Sequence, residues 1–134
     1  MDYKKAFTQT NFIVDDAALS KNLIVINIDF PHPELDNLIE NKDWCFITAW
    51  NPSPSTFTRI INNERNIQLE KSIQAMNLFY YNGYGQSKNN DWKEDSFLIV
   101  DCTKAKAIQL GKEFEQMAIV FGSHLAKAEL IILS

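Results

Sequence analysis

The sequence predicts one α+β domain, residues 1–134, with a mixed or mainly antiparallel sheet and about three helices. Three observations carry that expectation. Short strand-like apolar runs mix with helical periodicities without strict alternation, in the order β, β, α, β, α, β, β, α, β, β. The C-terminal end places two apolar runs around a turn at Gly122 to Lys127, the pattern of a hairpin. The chain has 134 residues, 46% apolar and 22% charged, which suits one ordinary domain that buries its own core.

Ala6 to Val14 reads as a first strand. Asn22 to Phe30 reads as a second, with Ile24, Ile26, Ile28 and Phe30 on the core face and Asn27 and Asp29 turned toward solvent or a polar site. Pro31-His32-Pro33 ends it. Leu35, Leu38 and Ile39 then give a short helix over Glu34 to Asn41 its apolar stripe. Asp43 to Trp50 is apolar on both faces, so it is expected at the centre of the sheet. Ser53 and Ser55 offer N-caps for a long helix from about Thr56 to Met76. Leu78 to Gly85 reads as a strand entering a glycine turn, and Gln86 to Asp95 as a polar loop. Ser96 to Cys102 is a strand, and Thr103 caps a helix over Lys104 to Met117. The runs 118–123 and 128–134 form the final hairpin. No internal repeat, linker or low-complexity tract interrupts this order.

The net charge of −4 argues against a general nucleic-acid binder, which would carry a basic stripe. No apolar run approaches membrane-spanning length, and the N-terminus lacks the apolar core of a signal peptide, so a cytoplasmic protein is expected. The lysine- and asparagine-rich style suggests a bacterial source. Cys45 and Cys102 lie in apolar contexts and read as reduced, partly buried thiols, with a disulfide or a catalytic thiol as the alternatives. His32 and His124 lack metal-ligand spacing, and P-loop, G-x-S-x-G and C-x-x-C motifs are absent. No metal and no cofactor is therefore expected.

Unusual polar placements mark a candidate site. On a helical wheel, Asn66, Leu69, Ile73 and Met76 fall within about 40° of Asn62, with Arg65 about 60° to one side. An apolar stripe thus turns polar at Asn62 and Asn66. Buried amides need partners, because an unpaired one costs about 1–3 kcal/mol. The partners are protein groups such as the neighbouring Trp50-Asn51-Pro52 turn, water or a ligand. Arg65 is placed to fork onto a phosphate or carboxylate, or else to lie solvated. Trp92 in the polar loop suits a lid or a core anchor. Glu94 beside it is the candidate general acid or base if it faces a pocket, and otherwise a solvated carboxylate. Gln116 lies at a helix end, either capping backbone or facing a ligand. Gly83 and Gly85 form a G-x-G better suited to a turn than to dinucleotide binding.

The motifs T-A-W-N-P (Thr48 to Pro52), N-x-x-R-N-x-x-L (Asn62 to Leu69), G-x-G (Gly83 to Gly85), W-x-E-x-S-F (Trp92 to Phe97) and L-G-x-x-F-x-Q-x-A (Leu110 to Ala118) occur in one order. Together they resemble the bacterial domain-of-unknown-function family 3293, over roughly Phe46 to Val120. That resemblance groups the chain without implying an activity. Ile61 departs from the acidic residue expected before Asn62 in the family pattern.

Two functions follow from the residues. In the first, Trp50, Asn51, Asn62, Arg65, Asn66, Trp92, Glu94 and Gln116 line a pocket at the end of the central strand. That pocket would take a nucleotide-, nucleoside- or sugar-like ligand, with Arg65 on an anionic group. In the second, Tyr80, Tyr81, Tyr84 and Trp92 form the exposed patch of a non-catalytic interaction or regulatory module, consistent with a homodimer.

Overall fold

A computed structural model describes residues 3–51 and 56–133. The described chain is α+β, in the order α1 (Tyr3–Thr8), β1 (Thr10–Val14), β2 (Ile24–Ile26), α2 (Pro33–Leu38), β3 (Trp44–Ile47), α3 (Arg59–Ala75), β4 (Phe79–Ser87), β5 (Lys93–Val100), α4 (Lys104–Glu113), β6 (Ala118–Gly122) and β7 (Glu129–Ile132). All seven strands join one sheet of order β2-β1-β4-β5-β3-β6-β7, and every pairing is antiparallel. The strand expected at the centre, β3, lies between β5 and β6 and is buried along its whole length.

The sheet curls on itself. Phe12 of β1 and Phe46 of β3 stand edge to face with ring centroids 5.6 Å apart, although β4 and β5 separate their strands in the sheet. The two ends also meet. The Asp29 amide donates to the Ala128 carbonyl at 2.8 Å, and the Ala128 amide donates to the Phe30 carbonyl at 2.9 Å. The chain just after β2 is thereby stitched to the chain just before β7, which closes off part of an edge that would otherwise be free to pair.

Strand alternation divides the core in two. Cys45, Ile47, Phe97, Ile99, Ile119 and Phe121 pack outward against Leu69 and Ile73 of α3 and Ala107 and Leu110 of α4. Trp44, Phe46, Leu98, Val120, Phe12 and Ile26 face the concave side, where Leu35 and Ile39 of the α2 region cover them. Each large aliphatic side chain buried in this way contributes roughly 1.5–3 kcal/mol.

Several expected boundaries shift. Ala6 to Thr8, expected as strand, belongs to α1, and β1 begins only at Thr10. A six-residue helix has no propensity signal strong enough to announce itself; packing makes it. Chain 27–30 turns away from β2, with Asp29 at φ 71°, so Phe30 is exposed while Ile24, Ile26 and Ile28 are buried. The long helix starts at Arg59, with the Thr58 hydroxyl accepting from the Ile61 amide as its cap. Ser53 and Ser55, the expected caps, lie outside the described residues. Helix α4 ends at Glu113, short of the expected Met117.

The largest revision concerns the region 83–95. Strand β4 runs through both glycines to Ser87, and β5 starts at Lys93, so the polar loop shrinks to a tight connection. Gly83 and Gly85 are therefore strand residues, not a turn. Both cysteines are buried and free. Burial pushes the Cys102 thiol up to about 11 and raises that of Cys45 well above its ordinary value, which leaves neither as a ready nucleophile.

Candidate functional site

A cavity of about 380 Å³ opens on the concave side of the sheet, with Phe12, Phe46, Val120 and Leu130 of the inner core among its walls. Ala6 and Phe7 of α1 line it as well. Along β5, Leu98, Ser96 and Glu94 share one face, so the stripe that fills the core at Leu98 points Glu94 toward the opening. Opposite Glu94 in the ladder stands Gly85. A Cβ there would meet the Trp92 ring and the Thr10 methyl at ordinary distances of 3.8 and 3.9 Å, so the glycine leaves the volume unfilled without being forced by a close approach.

Five of the sequence-predicted residues line this one cavity: Trp50, Asn51, Trp92, Glu94 and Gln116. They come from the chain after β3, the β4–β5 connection, β5 itself and the chain after α4. Asn62, Arg65 and Asn66 do not line it. Asn66 accepts from the Ala49 amide at 2.8 Å and donates to the Asp95 carbonyl at 2.8 Å. Asn62 accepts from the Asn51 amide at 2.8 Å and donates to Asn51 Oδ1 at 3.0 Å and the Phe57 carbonyl at 3.1 Å. Arg65 donates through Nε to the Ala49 carbonyl at 2.8 Å and through Nη2 to the Phe114 carbonyl at 2.6 Å. These three side chains hold the segment Ala49–Asn51, and Arg65 ties it to the turn that presents Gln116.

Asn51 lies at φ 45°, a left-handed conformation that asparagine tolerates better than most residues. Its Oδ1 accepts from the Phe57 amide, while its Nδ2 donates to Glu94 Oε1 at 3.4 Å. Gln116 Nε2 donates to the carbonyls of Trp50 and Phe114, both at 3.3 Å. Burial raises the pKa of Glu94, and the hydrogen bond from Asn51 partly opposes the rise. No histidine, lysine, arginine, aspartate, cysteine or tyrosine lines the cavity among the described residues, so Glu94 is its sole ionisable side chain.

A stability consequence follows. Above the ordinary glutamate value of 4.5 the unfolded chain is ionised at this position, while the folded chain holds its proton to higher pH. The folded state then binds more protons, so Glu94 lowers stability as pH rises through that window. Glu94→Gln has no charge to bury. Urea unfolding at pH 4 and pH 7 is expected to show the variant gaining on the wild type between the two. A constant gap would show that Glu94 is well solvated, and a reversed one that the fold stabilises its ionised form.

Thr10, Thr48 and Ser96 also line the cavity and were not expected. Ser96 was findable, since it lies two residues from Glu94 on the face that becomes core at Leu98. A second, more open groove lies between α3 and β4–β5 and includes Asn66, Asn63, Glu70 and Lys93. No group of three or more His, Cys, Asp or Glu among the described residues is arranged to hold a metal.

The model of a protein family described as "Protein of unknown function (DUF3293)" matches residues 47–119. The chain belongs to the DUF3293 family. No curated protein and no solved structure matches it. The DUF3293 match spans all eight sequence-predicted site residues, whereas the α1 and β1 residues of the cavity wall precede it. No helix among the described residues is long and apolar enough to cross a membrane.

Proposed function

We propose that this DUF3293 protein binds a small nucleoside- or sugar-like molecule in the cavity around Glu94. The observation that carries the reading is convergence: Trp50, Asn51, Trp92, Glu94 and Gln116 reach one cavity from separate parts of the chain. Apolar and aromatic walls with a few fixed polar groups are the usual make-up of a small-molecule site. Because Arg65 is engaged with two carbonyls away from the cavity, uncharged members of the class suit it better than nucleotides. If the bound molecule reacts, Glu94 is the group placed to move a proton, its raised pKa bringing it closer to neutral pH.

A second reading, an interaction module, draws support from one feature. Phe57, Ile60, Ile61 and Ile67 are exposed at and along α3. The tyrosines first considered for that role are half-buried, and the Tyr80 hydroxyl is bonded to Glu70 and Gln74. Thermal-shift screening against nucleosides, nucleotides and saccharides separates the readings. Binding at ten to a hundred times Kd is expected to add about 1.4–2.7 kcal/mol, a shift of several degrees. No shift from any compound, together with a dimer in solution, would favour the module.

A further inference from the structure

We infer that the cavity selects a ligand that presents N–H donors, and preferentially a positive charge, on a flat apolar body, as an aryl amidine does. The inference rests on the cavity being a binding site and adds the chemical class of what it binds. Hydrogen-bond direction is the basis. The hydroxyls of Thr10, Thr48 and Ser96 donate to the backbone carbonyls of Ala6, Asp95 and Glu94. One side-chain amide N–H of Asn51 is engaged with Glu94, and both of Gln116 are engaged with carbonyls. Glu94 Oε2 and Gln116 Oε1 accept from no described residue. Side-chain donor capacity that remains among the described lining residues is the second Asn51 amide N–H, the two indole N–H groups and the exposed Thr56 hydroxyl, none of them charged.

The charge balance has the same sign. Glu94 is the sole ionisable lining residue among those described, and the aromatic side chains of Phe7, Phe12, Phe46, Trp50 and Trp92 line the same cavity. A carboxylate among low-dielectric walls attracts a cation more strongly than the same group in water. It also accepts two parallel N–H bonds from an amidine or guanidine edge, and aromatic faces favour a delocalised cation beside them. An anion would meet that carboxylate with no lysine or arginine among the described lining residues.

Three probes of nearly equal shape test this: benzamidine, benzamide and benzoate. Affinities come from calorimetry, and the site from indole and backbone amide shifts in nitrogen–proton correlation spectra. Benzamidine is expected to bind at least about tenfold tighter than benzamide, the size of a charge-assisted over a neutral hydrogen bond. Benzoate is expected to be weakest, and Glu94→Gln to bring benzamidine and benzamide together. Equal binding of benzamide or benzoate by the wild type, or a benzamidine preference that survives in Glu94→Gln, overturns the inference while leaving the cavity a binding site. Silence of all three probes at millimolar concentration also overturns the inference, while the binding-site reading itself is decided by the nucleoside and saccharide screen.

Discussion

Asn66→Ala is expected to destabilise the protein by about 2–4 kcal/mol, a large loss for a surface-adjacent helix position. Asn66 is buried, and its Oδ1 is the acceptor for the amide of Ala49, itself wholly buried. Truncation orphans that amide at roughly 1–3 kcal/mol and removes the bond to Asp95 as well. The Asp95 carbonyl keeps the Thr48 hydroxyl as a donor, so only one group is stranded. Asn62→Ala is expected to cost a similar amount, because the Asn51 amide loses its acceptor. Urea unfolding measures both. An Asn66→Ala variant within about 0.5 kcal/mol of wild type would mean that the amide is not the brace described here.

Gly122→Ala is expected to cost about 3 kcal/mol, the upper end for overpacking a core. Gly122 of β6 pairs directly with Trp44 of β3, and a Cβ at this position would lie on the Trp44 indole, against Cε2 and Cζ2. Trp44 is only 2% exposed, so it has no free space to swing into. Heat denaturation followed by near-ultraviolet circular dichroism reads both the stability and the indole environment. An alanine variant with an unchanged melting point and an unchanged tryptophan spectrum would contradict this packing.

Much of the architecture was legible because apolar alternation reports burial. The run Asp43 to Trp50 is apolar on both faces, and its strand lies at the centre between β5 and β6. The stripe Asn62, Asn66, Leu69, Ile73 was legible for the same reason, and all four are buried. What periodicity left open was whether the partners of the two amides belong to the protein, as at the Asn51 turn, or to a ligand. Both are satisfied by backbone groups at Ala49, Asn51, Phe57 and Asp95, from chain distant in sequence or just ahead of the helix.

The start of β5 was hidden for an instructive reason. Lys93, Glu94 and Asp95 look like loop because none is apolar. Yet one face of this stretch meets a cavity instead of packed side chains, so polar residues stand where core residues would otherwise be. The G-x-G was misread as a turn on the same grounds, when its period of two keeps both glycines on a single strand face. Residues that line a cavity break the pattern by which strands are recognised.

The central claim, that the cavity around Glu94 is where this protein meets a ligand, is tested most directly by titrating isotope-labelled protein with adenosine, guanosine and glucose while following nitrogen–proton spectra. The account predicts that at least one of them moves the indole signals of Trp50 and Trp92 and the backbone amides of Glu94 and Gln116 together, with saturation. Shifts confined to Ile60, Ile61 and Ile67 on the outer face of α3, or none at the cavity with any of the three, would contradict it.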